Sequence, residues 1–586
     1  MSKNKNQKKN KQTKGSILAT VSLILVGVLV LGMVGWMILD ESGAIAEVNG
    51  LIGQTKIEAQ SDNFKVTGSE LSVYAFQAAQ MYSQQAQMEY MYYQYGLYQD
   101  TYGITKQFSS AADYAAYIVD YYRSEGVLKE QAYHDVENYL AFCEGAKAAG
   151  FTSDKIGERV DEFMKQIKDA AEAAKVSYKS YVKSQFGPGV RDEDIRSAME
   201  KYFTYDEYYT VLEEKFSGEV TDKELTDLRD KNKADYFTSE YISYELMNEA
   251  MKEAAAKCED LDDVKAMICD YLTDTKFEEL YSTYITKKDI SLPAGVTKDS
   301  LKEDLKTSVK SRILSSDYKE KDPFSDTVIK DHKGKADEAF YKAAQSMAKI
   351  VETSAKTETN KVKASNSAAW ADPKGEKATD LQKWLFAADR AEKDTWIEEK
   401  TKVNEDGDKV PSSYTLYLAT KVMKLDTNHK RHVGYVLFSD TTKDATDKQK
   451  SEAAQKKAEA FLEELKKGEI TEDRFEEIAK KHSTATTFFY DLNAATDSPT
   501  AVSEWAFKSE RKEGDTSILT AKNDRYVAFY VEEAEDENWE AAVREKITTE
   551  RISEWAKEAI EKYNVTTNHE HEEETTAVAE TTTKAA

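Results

Sequence analysis

The chain has 586 residues and a formal net charge of −26, from 107 acidic and 81 basic side chains. Its length suffices for three or four domains, and its strong negative charge argues against a nucleic-acid partner. Three cysteines, an odd and widely spaced set, argue against a disulfide framework and a cysteine zinc site. Cys258 and Cys269 form the only close pair, so one bridge and three buried thiols both remain possible.

The amino-terminal segment predicts a membrane anchor. Residues 1–16 hold six lysines and no acid, and a run of 23 uncharged residues begins at Ile17 and ends at Leu39. At about 1.5 Å per residue, such a helix spans a hydrocarbon core of roughly 30 Å. The lysines before this run predict a cytoplasmic amino terminus, a single pass through the lipid bilayer and an extracytoplasmic bulk. A cleaved signal peptide is the alternative, because Ala44-Ile45-Ala46 resembles a cleavage site.

Residues 40–65 are predicted to be a linker, and a helical domain is predicted over 66–240. Thr67-Gly68-Ser69-Glu70 has the form of a capping box, which predicts that a helix begins there. This helix, from residue 71 to about residue 98, is rich in Tyr, Met and Gln. Such side chains adapt to many partners, so they either hold extended polypeptide or pack within their own domain.

Three sequence pieces follow one another in the helical domain: 146–152 (AKAAGFT), 192–196 (DEDIR) and 220–225 (VTDKEL). In this order, beside a membrane anchor, they resemble the helical amino-terminal region of SurA-like and PrsA-like extracytoplasmic chaperones. The resemblance covers residues 65–240. It implies a bacterial cell-membrane protein, of the Gram-positive type, whose partners are unfolded or secreted polypeptides.

One stretch of the sequence occurs twice, as 505–515 (WAFKSERKEGD) and, in a weaker copy, as 384–394 (WLFAADRAEKD). Each copy predicts the end of an amphipathic helix and a charged turn, and each precedes an aromatic strand. The shared order predicts one small module used twice, over 241–425 and over 426–537. The first module is expected to contain a partly helical insertion at about 286–380, with a flexible part near 353–378.

The second module resembles a parvulin-type (PpiC-like) prolyl isomerase domain. It is predicted to run from a strand at 432–438 through a long helix and two short helices to a strand at 526–531. The matching residues are Leu462, Leu465, Gly468, Phe475, Ile478, Ala479, Ser483, Asp491, Leu492, Ala506, Phe507, Gly514, Asp515 and Ser517. The resemblance implies a small antiparallel sheet wrapped by helices. For catalysis it implies a pocket with two sheet histidines that desolvates and twists the X–Pro bond.

Neither copy contains those histidines. The resemblance assigns Tyr435 and Val527 to the two histidine positions, Val502 to the apolar groove, and Asp491 to a shortened turn. His432 lies three residues before Tyr435, and an odd offset puts it on the opposite face of the strand. In the first module, Tyr244 and Thr415 take the histidine positions. The candidate client-binding residues are Tyr435, Trp505, Phe507, Leu519, Tyr526, Tyr244, Trp384 and Phe386.

The sequence therefore predicts a predominantly helical α+β protein: one transmembrane helix, a SurA-like helical domain and two degenerate parvulin-like domains with antiparallel sheets. A helix over 538–565 is expected to return to the helical domain, as the resemblance implies, and the tail 566–586 is expected to be disordered. Three functions remain open: a chaperone or foldase, an active isomerase with Tyr435 as hydrogen-bond donor, and an envelope-complex scaffold. No cofactor or metal is predicted, and the oligomeric state is open.

Overall fold

The computed structural model describes residues 55–94, 108–314, 321–440, 442–443, 445–482, 488–494, 497–508 and 511–568. The chain divides into two compact units: one joins the segment up to Asp222 with the segment from Asn428 onward, and the other is 223–427. The predicted membrane span at 17–39 lies outside the described residues. Within the described ranges, no helix combines the length and the apolar character that a bilayer crossing requires.

The amino-terminal half of the first unit is helical. Its elements are β1 (Ile57–Gln60), β2 (Lys65–Thr67), α1 (Gly68–Gln94), α2 (Ala111–Ser124), α3 (Val127–Ala148), α4 (Asp154–Ala173), α5 (Tyr178–Phe186) and α6 (Asp192–Gly218). The predicted capping box is confirmed, since Thr67 N–H donates to Glu70 Oε2 at 2.7 Å and Glu70 N–H donates to Thr67 Oγ1 at 3.3 Å. Glu70 also accepts a 2.8 Å hydrogen bond from the buried Lys201 ammonium.

The 223–427 unit consists of an antiparallel sheet with helices on one face. Its elements are α7 (Asp222–Lys231), α8 (Lys233–Tyr236), β3 (Thr238–Leu246), α9 (Lys252–Ala255), α10 (Leu261–Tyr281), α11 (Lys298–Ile313), α12 (Asp326–Asp331), α13 (Glu338–Thr359), β4 (Lys363–Ala369), α14 (Asp380–Leu385), β5 (Thr395–Val403) and β6 (Lys409–Lys424). The strand order is β4-β3-β6-β5, and every neighbouring pair is antiparallel.

The predicted insertion at 286–380 belongs to the core of this unit. Helices α11 and α13 bury Leu305 and Met347 against α10 and against Leu416 of the sheet. The flexible part expected near 353–378 is wrong for its first half, which holds the end of α13 and the edge strand β4. Buried residues recur at helical spacing as far as Ala355 and Thr359, and this spacing keeps α13 packed over its whole length.

The carboxy-terminal half of the first unit contains the second four-stranded sheet. Its elements are β7 (His429–Phe438), α15 (Asp447–Leu465), α16 (Glu472–His482), β8 (Phe488–Leu492), α17 (Thr500–Ala506), β9 (Thr516–Ala521), β10 (Asp524–Glu537), α18 (Asn538–Lys562) and β11 (Thr566–Thr567). The order is β8-β7-β10-β9, again antiparallel throughout. On one face, Phe461 of α15 and Phe475 of α16 pack on Val436 and Val527.

The two sheets have the same connectivity. In each, the first strand is central, the second is an edge beside it, and the last two form a hairpin whose second strand is central. In each, one short helix that carries the tryptophan precedes the third strand: α14 with Trp384 and α17 with Trp505. The sequence stretch that occurs twice therefore takes the same place in both modules.

Helix α18 returns to the helical half of its unit, as expected. Ile552 and Ala556 pack among Phe142 of α3 and Tyr208 of α6, and the Trp555 ring lies 4.8 Å from the Phe142 ring between centroids. Strand β11 then pairs with β1, so that residues 566–567 are ordered and the predicted disordered tail is wrong at its start. The polar Thr-rich sequence gave no sign of this strand, because its pairing partner lies near the other end of the chain.

Candidate functional site

One face of the β8-β7-β10-β9 sheet carries a cluster of three tyrosines, which we name the tyrosine cluster: Tyr435, Tyr490 and Tyr526. The Tyr435 ring stacks on the Tyr490 ring at 5.4 Å and 18°, and it meets the Tyr526 ring edge-on at 5.6 Å and 84°. Tyr490 is 42% exposed, and the other two are partly exposed. The cluster is therefore an aromatic surface open to solvent at one side.

The hydroxyl groups of Tyr435 and Tyr526 are held neutral. Burial raises the pKa of Tyr435, and the neighbouring Tyr490 raises it further. Burial likewise raises the pKa of Tyr526. These phenols keep their protons at physiological pH and can donate hydrogen bonds, but they cannot supply the acid–base character of an imidazole.

Helix α17 packs on this same face, beside the tyrosine cluster. Val502 is fully buried, and the Trp505 ring, only 5% exposed, meets the Tyr530 ring at 6.4 Å and 76°. Trp505 therefore holds the face in place, and its expected direct contact with a client is wrong. Phe507 and Leu519 border the same cluster of apolar side chains and are partly exposed.

Val527 does not belong to this face. Its partner across the sheet is Val436, whereas Tyr435 pairs with Ala528. Since successive residues of a strand point to opposite faces, Val527 is buried beneath α15 and α16, and its expected place in the groove is wrong. The residue beside Tyr435 on its own face is Ala528, which is buried.

Asp491 also lies on the helix-covered face, where it binds His432. The two residues are partners between β7 and β8, and His432 Nδ1 lies 2.7 Å from Asp491 Oδ1. The ring of His432 stacks on Phe489 at 5.8 Å, and its Nε2 lies 3.8 Å from Glu472 at the start of α16. The expectation that His432 faces away from Tyr435 is confirmed, and Asp491 is a partner of this histidine rather than part of the groove.

His432 is charged at neutral pH. Burial opposes its charge, but the carboxylates of Asp491 and Glu472 outweigh burial and raise the pKa of His432 to about 9. The hydrogen bond from His432 lowers the pKa of Asp491. His432 thus forms an ion pair on the far side of the sheet from the tyrosine cluster.

In the 223–427 unit, the counterparts of Tyr435 and Ala528 are Ser243 and Tyr417, which are partners across β3 and β6. Tyr244 faces the helices instead, 2% exposed, with its hydroxyl 3.5 Å from Glu358. Its expected role in client binding is therefore wrong. Thr415 is not the counterpart either, because the longer β5–β6 hairpin shifts the count of residues. Phe386, 5% exposed, is likewise a core residue.

A row of aromatic rings crosses the corresponding face of this unit. Trp384 stacks on Trp396 at 5.9 Å and 30°, Trp396 stacks on Tyr417 at 5.2 Å and 19°, and Tyr417 lies 5.9 Å from Tyr241. Of these residues, only Trp384 was predicted. Trp396 lies just after the charged turn of the first copy, in a strand that the sequence reasoning missed.

The sequence stretch that occurs twice builds the same substructure in both places. An arginine lies over the tryptophan ring and forms an ion pair with an aspartate four residues further on. In the first copy, the Arg390 guanidinium lies 4.5 Å from the centre of the Trp384 ring and 2.8 Å from the Asp394 carboxylate. In the second copy, the Arg511 guanidinium lies 5.2 Å from the centre of the Trp505 ring and 3.5 Å from the Asp515 carboxylate. In each copy, the carbonyl oxygen of that aspartate accepts a backbone hydrogen bond from the last strand, from Ala419 at 2.9 Å and from Tyr530 at 2.8 Å. This equivalence fixes the correspondence between the two sheets.

A second exposed apolar surface lies on the pair of helices α1 and α2. Met81 and Met88 of α1 and Tyr117 and Tyr121 of α2 are exposed, at spacings that put each pair on one helix face. Other aromatic side chains of these helices pack inward, as in the contact of Tyr82 with Tyr122 at 4.7 Å. The helix that is rich in Tyr, Met and Gln therefore packs on one side and exposes methionine side chains on another.

No protein-family model matches the chain, and no curated protein matches it significantly. In the described part of the chain, no three His, Cys, Asp or Glu side chains converge as a metal site would require. The three cysteines are free and buried, so the possible Cys258–Cys269 bridge is not formed.

Proposed function

We propose that the protein is a membrane-anchored, extracytoplasmic chaperone or foldase that binds unfolded secreted or envelope proteins. The tyrosine cluster carries this proposal: it offers stacked and edge-on rings, neutral hydroxyls and an open side, and it has no imidazole. Aromatic surfaces with hydroxyl groups bind many polypeptide sequences, because each ring contributes apolar area and each hydroxyl adapts its hydrogen bonds.

The connectivity of the two modules supports the proposed parvulin ancestry. Each has a small antiparallel sheet with its long helices on one face and a short helix on the other, which fits the sheet wrapped by helices that the resemblance implies. The return of α18 to α3 and α6 supports the resemblance to SurA-like and PrsA-like chaperones. The uncharged run at 17–39 supports the membrane anchor.

The exposed face of α1 and α2 is the proposed second surface for clients. Thioether side chains adapt their shape to different partners, and Met81 and Met88 lie on the same side of α1. Two separate apolar surfaces on one unit would raise the affinity for long unfolded chains through multivalency, although each surface alone binds weakly.

Aggregation of a model protein, diluted from guanidinium into buffer containing the full-length chain in detergent, tests the proposal. We expect suppression at stoichiometric amounts. Tyr490→Ala, which removes the most exposed ring of the cluster, should weaken suppression several-fold. Tyr563→Ala, a partly exposed tyrosine outside the cluster, is the matched control and should leave suppression unchanged. No suppression at stoichiometric excess would refute the proposal.

Weak prolyl isomerisation is the second candidate, favoured by one observation: the half-buried Tyr435 places a hydroxyl group among the rings of Tyr490 and Tyr526. A hydroxyl donor in a desolvated groove favours the twisted imide that isomerisation passes through. The assay follows a panel of X–Pro peptides with wild type and Tyr435→Phe. A rate above the uncatalysed one that falls in Tyr435→Phe would support this candidate, and a rate equal to the uncatalysed one would remove it.

A further inference from the structure

Strand β9 is an edge strand without the protection that the other edges have. It follows β10 in regular register from Phe529–Thr516 to Asp524–Ala521, with no bulge. Its sequence, TSILTA, contains no charge and no proline, and none of its residues is buried. Natural proteins usually block such edges, because unpaired backbone groups pair with other chains.

The three other edges of the two four-stranded sheets are blocked. The corresponding edge of the 223–427 unit, β5, carries four charged residues: Glu398, Glu399, Lys400 and Lys402. The register of β4 shifts within the strand, and β8 carries Asp491. The two modules share one connectivity, so β5 and β9 differ in length, register and charge but not in their place in the sheet.

The pattern of hydrogen bonds between β9 and β10 determines which backbone groups of β9 point away from the sheet. Tyr530 N–H donates to Asp515 O at 2.8 Å, which places residue 515 in a hydrogen-bonded pair. Pairs alternate along an antiparallel ladder, so that Thr516, Ile518 and Thr520 turn their N–H and C=O groups outward. Within the described ranges, no backbone or side-chain group hydrogen-bonds to these three residues.

We propose that this edge binds an extended segment of an unfolded polypeptide, which adds to the sheet as a fifth strand. The proposal rests on the proposed chaperone function and gives it a binding mode. An added strand would lie beside Leu519, which pairs with Tyr526 of the tyrosine cluster, so alternate side chains of the client would continue that face. Main-chain hydrogen bonds supply affinity regardless of sequence. Proline lacks the N–H group, so this edge selects segments poor in proline.

Hydrogen exchange gives the direct test. The probe is a 12-residue peptide of alternating Thr and Val with terminal lysines, added to the full-length chain in detergent. We expect slowed exchange at the amides of Thr516, Ile518 and Thr520. The same peptide with its backbone amide nitrogens methylated, so that neither edge of the extended chain can donate hydrogen bonds, should give no protection. Equal protection by both peptides, or none by either, would overturn the proposal.

A pair of variants gives an independent test. Thr520→Pro removes one outward donor from an exposed residue and leaves the ladder to β10 intact, and it should weaken peptide binding about tenfold through the lost and displaced hydrogen bonds. Thr520→Ala is the matched control and should bind as wild type. Equal binding by both variants would overturn the proposal, as would self-association through β9 that the peptide does not reverse.

The aggregation assay separates failure of this proposal from failure of the proposed function. Suppression by wild type without protection of the three amides would remove the β9 edge as the binding site and leave the chaperone function standing. Absence of both suppression and peptide binding would remove both.

Discussion

Replacement of Gly145 by alanine tests the packing of α18 on the helical half of its unit. Gly145 lies in the interior of α3, where a Cβ atom would stand 2.6 Å from Trp555 Cη2 and Cζ2 and 3.2 Å from Tyr208 Cε1. Carbon atoms in contact are about 3.5–4.0 Å apart, so the two closest distances are about 1 Å too short. The tryptophan ring must therefore move to make room for the methyl group.

Gly157 of α4 gives the matched control, because a Cβ atom there meets nothing within 4 Å. In both helices, alanine gains about 1 kcal/mol over glycine in backbone propensity. Only Gly145→Ala adds an overpacking cost, about 1–3 kcal/mol. Because both variants share the propensity gain, it cancels when their free energies of unfolding are compared. Gly145→Ala should therefore be about 1–3 kcal/mol less stable than Gly157→Ala.

Native-state hydrogen exchange at the amides of α18 measures this difference locally, which suits a chain of two units whose unfolding need not be a single transition. In a Trp555→Ala background, the cost of Gly145→Ala should fall, since the ring that obstructs the methyl group is gone. The reasoning is refuted if Gly145→Ala and Gly157→Ala stabilise α18 equally. It is also refuted if Trp555→Ala leaves the cost unchanged.

Three further predictions concern charged groups. The pKa of His432 is raised to about 9 from 6.5, so its charge adds roughly 2–3 kcal/mol to the free energy of unfolding below pH 6.5. This contribution is lost as the pH rises through 9. In urea titrations, the stability advantage of wild type over His432→Gln should therefore fall across that range. Lys201→Met leaves the Glu70 carboxylate buried without its cationic partner and should lower the free energy of unfolding by about 3–5 kcal/mol. An unchanged midpoint of urea unfolding would contradict the expectation that this buried ion pair is needed for stability. Arg390→Ala and Arg511→Ala each remove a cation that lies over a tryptophan ring. Each should shift the fluorescence of that tryptophan and lower the local opening free energy, measured by hydrogen exchange, by about 1–2 kcal/mol.

Local patterns predicted local structure well. The Thr67–Glu70 capping box, the helix of 447–465 and the place of the Trp384 and Trp505 stretches were all readable from spacing, because each depends on residues within a few turns of one another. The β10 strand was visible in its aromatic run. Strands β4, β5, β8 and β9 were missed, since short edge strands with polar or small residues lack a clear alternation.

The site was harder to predict than the fold, because a sheet position depends on register. The resemblance assigned Val527 to the second histidine position, and an error of one residue turns a side chain to the opposite face. The same difficulty misplaced Thr415, because the hairpin of β5 and β6 is longer than that of β9 and β10. Tyr490 stacks on Tyr435 from a neighbouring strand, which sequence spacing could not show.

The pairing of β1 with β11 has a consequence for folding during synthesis. Residues 57–60 find this partner only at 566–567, so the first unit stays incomplete until nearly the whole chain has emerged from the ribosome. The 223–427 stretch is continuous and needs no later segment for its own sheet. Maturation should therefore begin in the middle of the chain and finish by joining its two ends, which leaves the early helices without their last partner for most of synthesis.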